Sequence, residues 1–252
     1  MPGDDGQLGR MFRNIGEYFA RCASSSPGGS SVKLGTVRAA VMPAIPHASI
    51  VNCVTYADAP VLGERIDELD ALYRDAGVHA WSVWTHESDQ AARTTLAQAG
   101  FTLDSGPMSM ALDLDDPIAP PAELDWTPEP DAGEFANVVE PSYGFPRGVF
   151  AAGFPGLPGG VHCYLARHEG RPASVVMASD LEGDCGIFLV GTIPEARGRG
   201  LSTALMRRAL ADATERGCRT STLQASAMGY PVYRRLGYRD LGRAELWDRR
   251  GF

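Results

Sequence analysis

Lysine is all but missing from this sequence: Lys33 is the only one, and every other basic residue is an arginine. A nucleoside-triphosphate loop needs the pattern G-x-x-x-x-G-K-[ST], so that a lysine can reach the phosphates. Leu201 follows Gly200 in the glycine-rich stretch here, so that loop is excluded. Long apolar runs are missing too. None approaches the roughly 20 residues that cross a bilayer. Residues 7–22 interleave charged and apolar side chains where a secretory signal needs a continuous apolar stretch.

Positive charge is also scarce, with 23 Lys and Arg against 31 Asp and Glu and a net charge of −8. Such a chain gains nothing from long-range attraction to phosphate polymers, so neither nucleic acid nor a membrane surface is an expected partner. A cationic substrate such as an amine suits the sign better. The five cysteines, Cys22, Cys53, Cys163, Cys185 and Cys218, form no C-x-x-C pair. The five histidines never recur at i, i+4. Those absences argue against a disulfide framework and against a metal site, and point to free thiols in a reducing cytoplasm.

What is present is an alternation of strand-like and helix-like stretches, the pattern of an α/β fold. Leu8, Met11, Phe12, Ile15, Tyr18, Phe19 and Cys22 make one apolar stripe, so residues 7–22 read as an amphipathic helix. Packing on the chain's own core is its expected use; a homodimer contact is the rival. Residues 24–31 read as a flexible linker. Strands are expected at 32–41, 49–56, 79–84 and 108–114. Helices are expected over 61–73, closed by Gly77, and from an N-cap at Ser88 to Gly100. Pro117, Pro120 and Pro121 mark a linker at 116–125 between a first half, 1–115, and a second, 126–252.

The second half repeats the element order of the first: strand, helix, strand, helix, a glycine–aromatic pair, then strand. The pairs are Gly100-Phe101 and Gly237-Tyr238. The halves differ where the long helix begins. Only the second has a glycine-rich approach, Arg197-Gly198-Arg199-Gly200-Leu201-Ser202, after a strand at 187–192.

A strand that ends in such a turn and opens a helix is built to hold phosphate. The first helical turn leaves amides without partners, and the helix dipole adds positive potential there. Gly198 and Gly200 let the backbone approach an anion with no Cβ in the way. Ser202 adds a hydroxyl; Arg197 and Arg199 add charge. The dinucleotide fingerprint G-x-G-x-x-G fails, because Thr203 stands at its third glycine.

The run from Pro194 to Ser202 resembles the signature [QR]-x-x-G-x-[GA] of the GNAT superfamily of acyl-CoA-dependent N-acyltransferases. Arg197 and Gly200 match it, and Ser202 departs at the last, small position. The run from Val232 to Tyr238 resembles the family's Y-x-x-x-G-[FY] ending. The resemblance covers about 126–248 and implies a mixed, mostly antiparallel sheet flanked by helices, with the first half a degenerate copy that has lost its phosphate loop. It implies that the backbone around Gly191, Thr192 and Ile193 meets the acyl carbonyl and pantetheine arm of acetyl-CoA. The amides from Gly198 to Ser202 would then cradle the pyrophosphate. Ser226 stands where the family often has an Asn on the pantetheine arm. Tyr233 would give a proton or hydrogen bond to the thiolate leaving group.

No general base is assigned. Asp180, Glu182 and Asp184 crowd one hairpin turn, and Glu140 lies near a helix end. An aromatic loop from Tyr143 to Phe154 would lie over the acceptor. The expected function is transfer of an acetyl group from acetyl-CoA to a primary amine by direct attack. The alternative is a non-catalytic acyl-CoA-binding sensor or interaction module.

Overall fold

The structure is a computed structural model that describes residues 4–116, 118–121 and 123–252. Pro117 and Ala122, two positions of the expected linker, lie outside the described residues. The chain opens with helix α1 (Asp4–Ser25), followed by β1 (Ser30–Leu34), β2 (Val37–Val41), β3 (Cys53–Tyr56), α2 (Ala59–Asp75), β4 (Ala80–His86), α3 (Gln90–Gln98), β5 (Thr102–Ser105) and β6 (Met108–Asp113). The second half contributes β7 (Trp126–Pro128), α4 (Ala132–Tyr143), α5 (Val149–Gly153), β8 (His162–His168), β9 (Arg171–Leu181), β10 (Asp184–Thr192), α6 (Leu201–Glu215), β11 (Thr220–Ala225), α7 (Tyr230–Arg235) and β12 (Arg239–Arg250). No helix among the described residues is long and apolar enough to cross a membrane.

Local chemistry sets most boundaries. Asp131 caps α4 through the amides of Gly133 (2.8 Å) and Glu134 (3.3 Å), and Gly144 ends it in the left-handed region. Three expectations need correction. The stretch 32–41 is not one strand but the hairpin β1–β2, because Gly35 takes φ 67° and reverses the chain. The serine-rich linker is a tight turn of residues 26–29. Helix α1 runs on through Ser25, and Gly29 packs so closely on the Ala23 carbonyl that a Cβ would collide with it. Asp89, not Ser88, caps α3: its carboxylate accepts from the Ala92 amide at 3.0 Å.

The strands form one mixed, mostly antiparallel sheet in the order β1-β2-β3-β4-β12-β6-β11-β10-β9-β8-β7, with β5 also paired to β12. Only β3–β4 and β10–β11 are parallel among the described pairs. The halves exchange their last strands. β6 of the first half runs between β11 and the first part of β12, where Ala111 faces Arg239. The second part of β12 runs between β4 and β5, where Trp247 faces Val83 and Leu103. Asp70 of α2 locks this exchange by accepting from Arg249 of β12 (2.8 Å at Nε) and from Trp81 Nε1 (3.1 Å).

Alternation along each strand divides the core into layers. On β9, Val176 and Ala178 face α6, packing with Leu205, Met206 and Leu210, while Val175 and Met177 face α1 and α4. On β2, Val37, Ala39 and Val41 face α2, while Ala40 turns toward α1. Helix α1 thus lies on one face of the sheet across both halves. Its buried Met11, Ile15 and Tyr18 contribute about 1.5–3 kcal/mol each by burial. Polar ties fix its direction: Asn14 donates to the Ser179 carbonyl (2.9 Å) and to Asp184 (3.0 Å). Glu17 pairs with Arg38 of β2.

Candidate active site

Strands β10 and β11 pair in parallel only from Asp184 to Ile187, opposite Thr220 to Leu223, and then part. The parting has a local cause. On the other side of β10, Phe188 faces Met177 and Gly191 faces Val175, so Leu189 and Val190 together stand opposite one residue of β9. This is a β-bulge, which leaves an extra residue outside the ladder and bends the strand. Leu189 takes φ 46° there. A left-handed conformation at a leucine costs on the order of 1 kcal/mol and needs surrounding structure to hold it. The family resemblance centres the acyl-facing backbone on Thr192. The bulge lies two to three residues earlier, and Thr192 is back in register with Ser174, whose hydroxyl meets Thr192 Oγ1 and the Gly191 carbonyl, both at 2.9 Å.

Beyond Ile193 a single 3-10 turn (Pro194–Ala196) leads to the glycine-rich bend. Gly198 and Gly200 have φ 76° and 75°, and a Cβ at either would meet nothing within 4 Å. Helix α6 starts at Gly200 with no side-chain cap, so the amides of its first turn face an open surface. Arg199 is exposed beside them, and Leu201 and Ser202 are half-buried. Arg197 is put to a different use. Its guanidinium turns back to donate to the carbonyls of Thr192 (3.2 Å) and Ser142 (3.3 Å), tying the bend to the end of α4.

A cavity of about 840 Å³ opens from the parting strands. Ile187 to Val190 form one wall and Leu223 to Ala227 the other. Tyr233 of α7 is buried and reaches the cavity; its ring packs edge-on to Tyr238 at 5.9 Å, and burial pushes its hydroxyl well above the ordinary phenol range. The side chain needs room: a Cβ at Gly229 would stand 2.8 Å from its ring. Ser226 also lines the cavity, and its Oγ accepts from the Gly229 amide at 3.2 Å. The aromatic loop contributes Tyr143, Phe145, Phe150 and Phe154 to the lining. Tyr143 donates to the Val190 carbonyl at 3.1 Å and so clamps the bulge.

The acidic residues considered from sequence are spent elsewhere. Glu140 accepts from the amides of Gly148 (2.8 Å) and Phe150 (2.9 Å) and caps α5. Asp180 holds Arg216, Glu182 holds Arg13, and Asp184 is buried against Asn14, Thr220 and Thr222, at the end of β10 remote from the bulge. Cys22 lines the cavity, but burial pushes its thiol up to about 12, so it stays protonated and weakly nucleophilic. All five cysteines are buried free thiols. The bulge and the Tyr143 clamp carry no local sequence signal, because a leucine occupies the left-handed position where a glycine would have marked it.

Comparison with known proteins agrees with this architecture. Residues 185–240 match the family model described as the acetyltransferase (GNAT) domain. The match takes in β10, the bend, α6, β11 and α7. The segment from β10 to α7 therefore resembles a GNAT domain, and the chain as a whole has the GNAT-type fold. A GCN5-related N-acetyltransferase from Kribbella flavida is 20% identical over 96% of each chain, with a TM-score of 0.69. One from Sphaerobacter thermophilus is 17% identical over 99% of this chain and 93% of that one, with a TM-score of 0.57. A tandem GNAT protein from the clavulanic acid biosynthesis pathway is 15% identical over 96% and 95%, with a TM-score of 0.58. Among proteins with curated descriptions, none matches.

Proposed function

We propose that the protein transfers an acetyl group from acetyl-CoA to a primary amine. The observation that carries this reading is the uncapped start of α6 at Gly200, open to solvent after the strand whose Ile187–Val190 stretch lines the cavity. That bend fits a diphosphate: two glycines in the left-handed region, free first-turn amides, a positive dipole end and the exposed Arg199. The amides from Gly198 to Ser202 would hold the pyrophosphate. The pantetheine arm would lie along the Leu189–Ile193 edge, near Ser226.

Acetyl-CoA supplies a thioester: the amine nitrogen bonds to its carbonyl carbon, the C–S bond breaks, and sulfur leaves as a thiol while the nitrogen gives up one proton. The chain's own groups serve several needs of that chemistry. The bulge frees backbone donors beside the reacting carbonyl, where negative charge develops. Tyr233, kept protonated by burial, holds a proton at Oη for the departing sulfur. The aromatic loop excludes water. The first half, in this reading a degenerate copy spanning 1–115, supplies the opposite cavity wall through Ile45, Ala48, Val51 and Trp84.

Acetyl-CoA should raise the melting temperature of the folded protein, and thiol release should appear when amines are added. Absence of acetyl-CoA binding to a folded sample would end this reading. Binding without turnover across a broad amine panel would favour the acyl-CoA-binding module instead.

A further inference from the structure

In the reading above the pantetheine arm takes the β10–β11 side of the cavity, along Leu189, Val190 and Ser226, which leaves its first-half side to the acceptor. Sites of about 300–1,000 Å³ hold drug-sized molecules, and this one, at about 840 Å³, has to seat both the arm and the acceptor. Beyond the bulge its walls are aromatic and aliphatic, with Phe19, Ile45, Val51, Trp84, Phe150 and Phe154 among them. At its mouth stand large apolar side chains that remain exposed, Ile50, Tyr143 and Phe145, and the last two stack at 5.7 Å. Exposed apolar groups gathered round one opening mark a surface made for an apolar ligand.

The charge of the lining is the second observation. Among the described residues no carboxylate and no histidine faces the cavity, and the single charged side chain is Arg243 of β12, whose guanidinium donates to the Gly106 carbonyl at 2.8 Å. Glu87, on the neighbouring segment, accepts from the Arg243 amide at 2.9 Å and does not line the cavity. A polycation would meet one positive charge and no negative one. The net charge of −8 thus says nothing about this site, because the acidic residues lie elsewhere. Nor does the cavity hold a sink for the proton that an ammonium must lose before it attacks. A neutral amine needs none: it gives one proton, and the departing sulfur takes one.

We infer that the acceptor is a bulky apolar amine that is neutral near pH 7, of the arylamine class, and not a lysine, polyamine or aminoglycoside. This rests on the acetyl-CoA reading above. The test is thiol release from acetyl-CoA with a series of 4-alkylanilines, set against spermidine and lysine, alongside direct calorimetry of acetyl-CoA binding. kcat/KM should rise about fourfold per added CH2, the value of ~0.8 kcal/mol per buried methylene, and spermidine and lysine should react at least 50-fold more slowly. The variant Ala48→Trp, which fills the first-half wall, should flatten the dependence on chain length while acetyl-CoA affinity stays within twofold. That retained affinity also reports a folded protein. Faster reaction with spermidine or lysine, or no aniline turnover while acetyl-CoA binds, overturns the inference and leaves the donor site standing. No acetyl-CoA binding removes both.

Discussion

Helix α2 in the first half and helix α6 in the second each leave the sheet where two parallel strands part, yet they begin in opposite ways. Helix α6 begins at Gly200, with no cap and two left-handed glycines before it. Helix α2 begins at Asp58, whose carboxylate accepts from the Val61 amide at 3.2 Å, with Pro60 in the first turn. One helix start keeps its positive end available to an external anion. The other neutralises it with a side chain of its own, and proline removes a donor. The same topology therefore supports one helix start left open to an anion and one purely structural turn, and three or four residues decide between them.

That contrast can be broken from either side. The largest effect is expected at Gly200→Trp, where an indole is forced into a left-handed position in front of the amides. Acetyl-CoA affinity should fall about 10³-fold, or ~4 kcal/mol, by calorimetry, with the fold intact by circular dichroism. Arg249→Ala should come next. It leaves the buried Asp70 without its guanidinium partner where the halves exchange strands, and should cost about 3 kcal/mol in denaturant unfolding. Retained stability would mean that the exchange depends on apolar packing alone.

Tyr233→Phe should lower kcat roughly 10²-fold while acetyl-CoA affinity stays nearly unchanged. Because burial raises the Tyr233 pKa, the group remains protonated through the neutral range, and the wild-type rate should show no loss from its ionisation between about pH 6 and 9. An equal loss in binding would make Tyr233 a packing residue. The smallest effect should follow Asp58→Ala, which removes the cap of α2. It should cost about 1 kcal/mol by thermal melting and leave acetyl-CoA affinity untouched. Any gain in acetyl-CoA binding there would blur the distinction between the halves.

The strong local signals were legible without a structure. Gly198, Gly200 and the helix behind them state an open helix start in sequence, and the stripe from Met11 to Cys22 states a buried helix. The cap of α3 was set one position early because Ser88 offered a competing cue, and the hairpin at Gly35 was missed because its β-branched run reads as one strand. Leu189 could not be read at all, since its conformation is imposed by β9 on one side and Tyr143 on the other.

The sequence by itself determined the order of the elements and the open, glycine-flanked start of α6. Both follow from side-chain periodicity and from backbone freedom within a few neighbouring residues. Tertiary structure alone decided which strands pair and where β10 buckles. It also decided that residues more than 100 positions apart, such as Ile45 and Tyr233, line one cavity. Those outcomes depend on long-range packing and hydrogen bonding, which no local window of sequence contains.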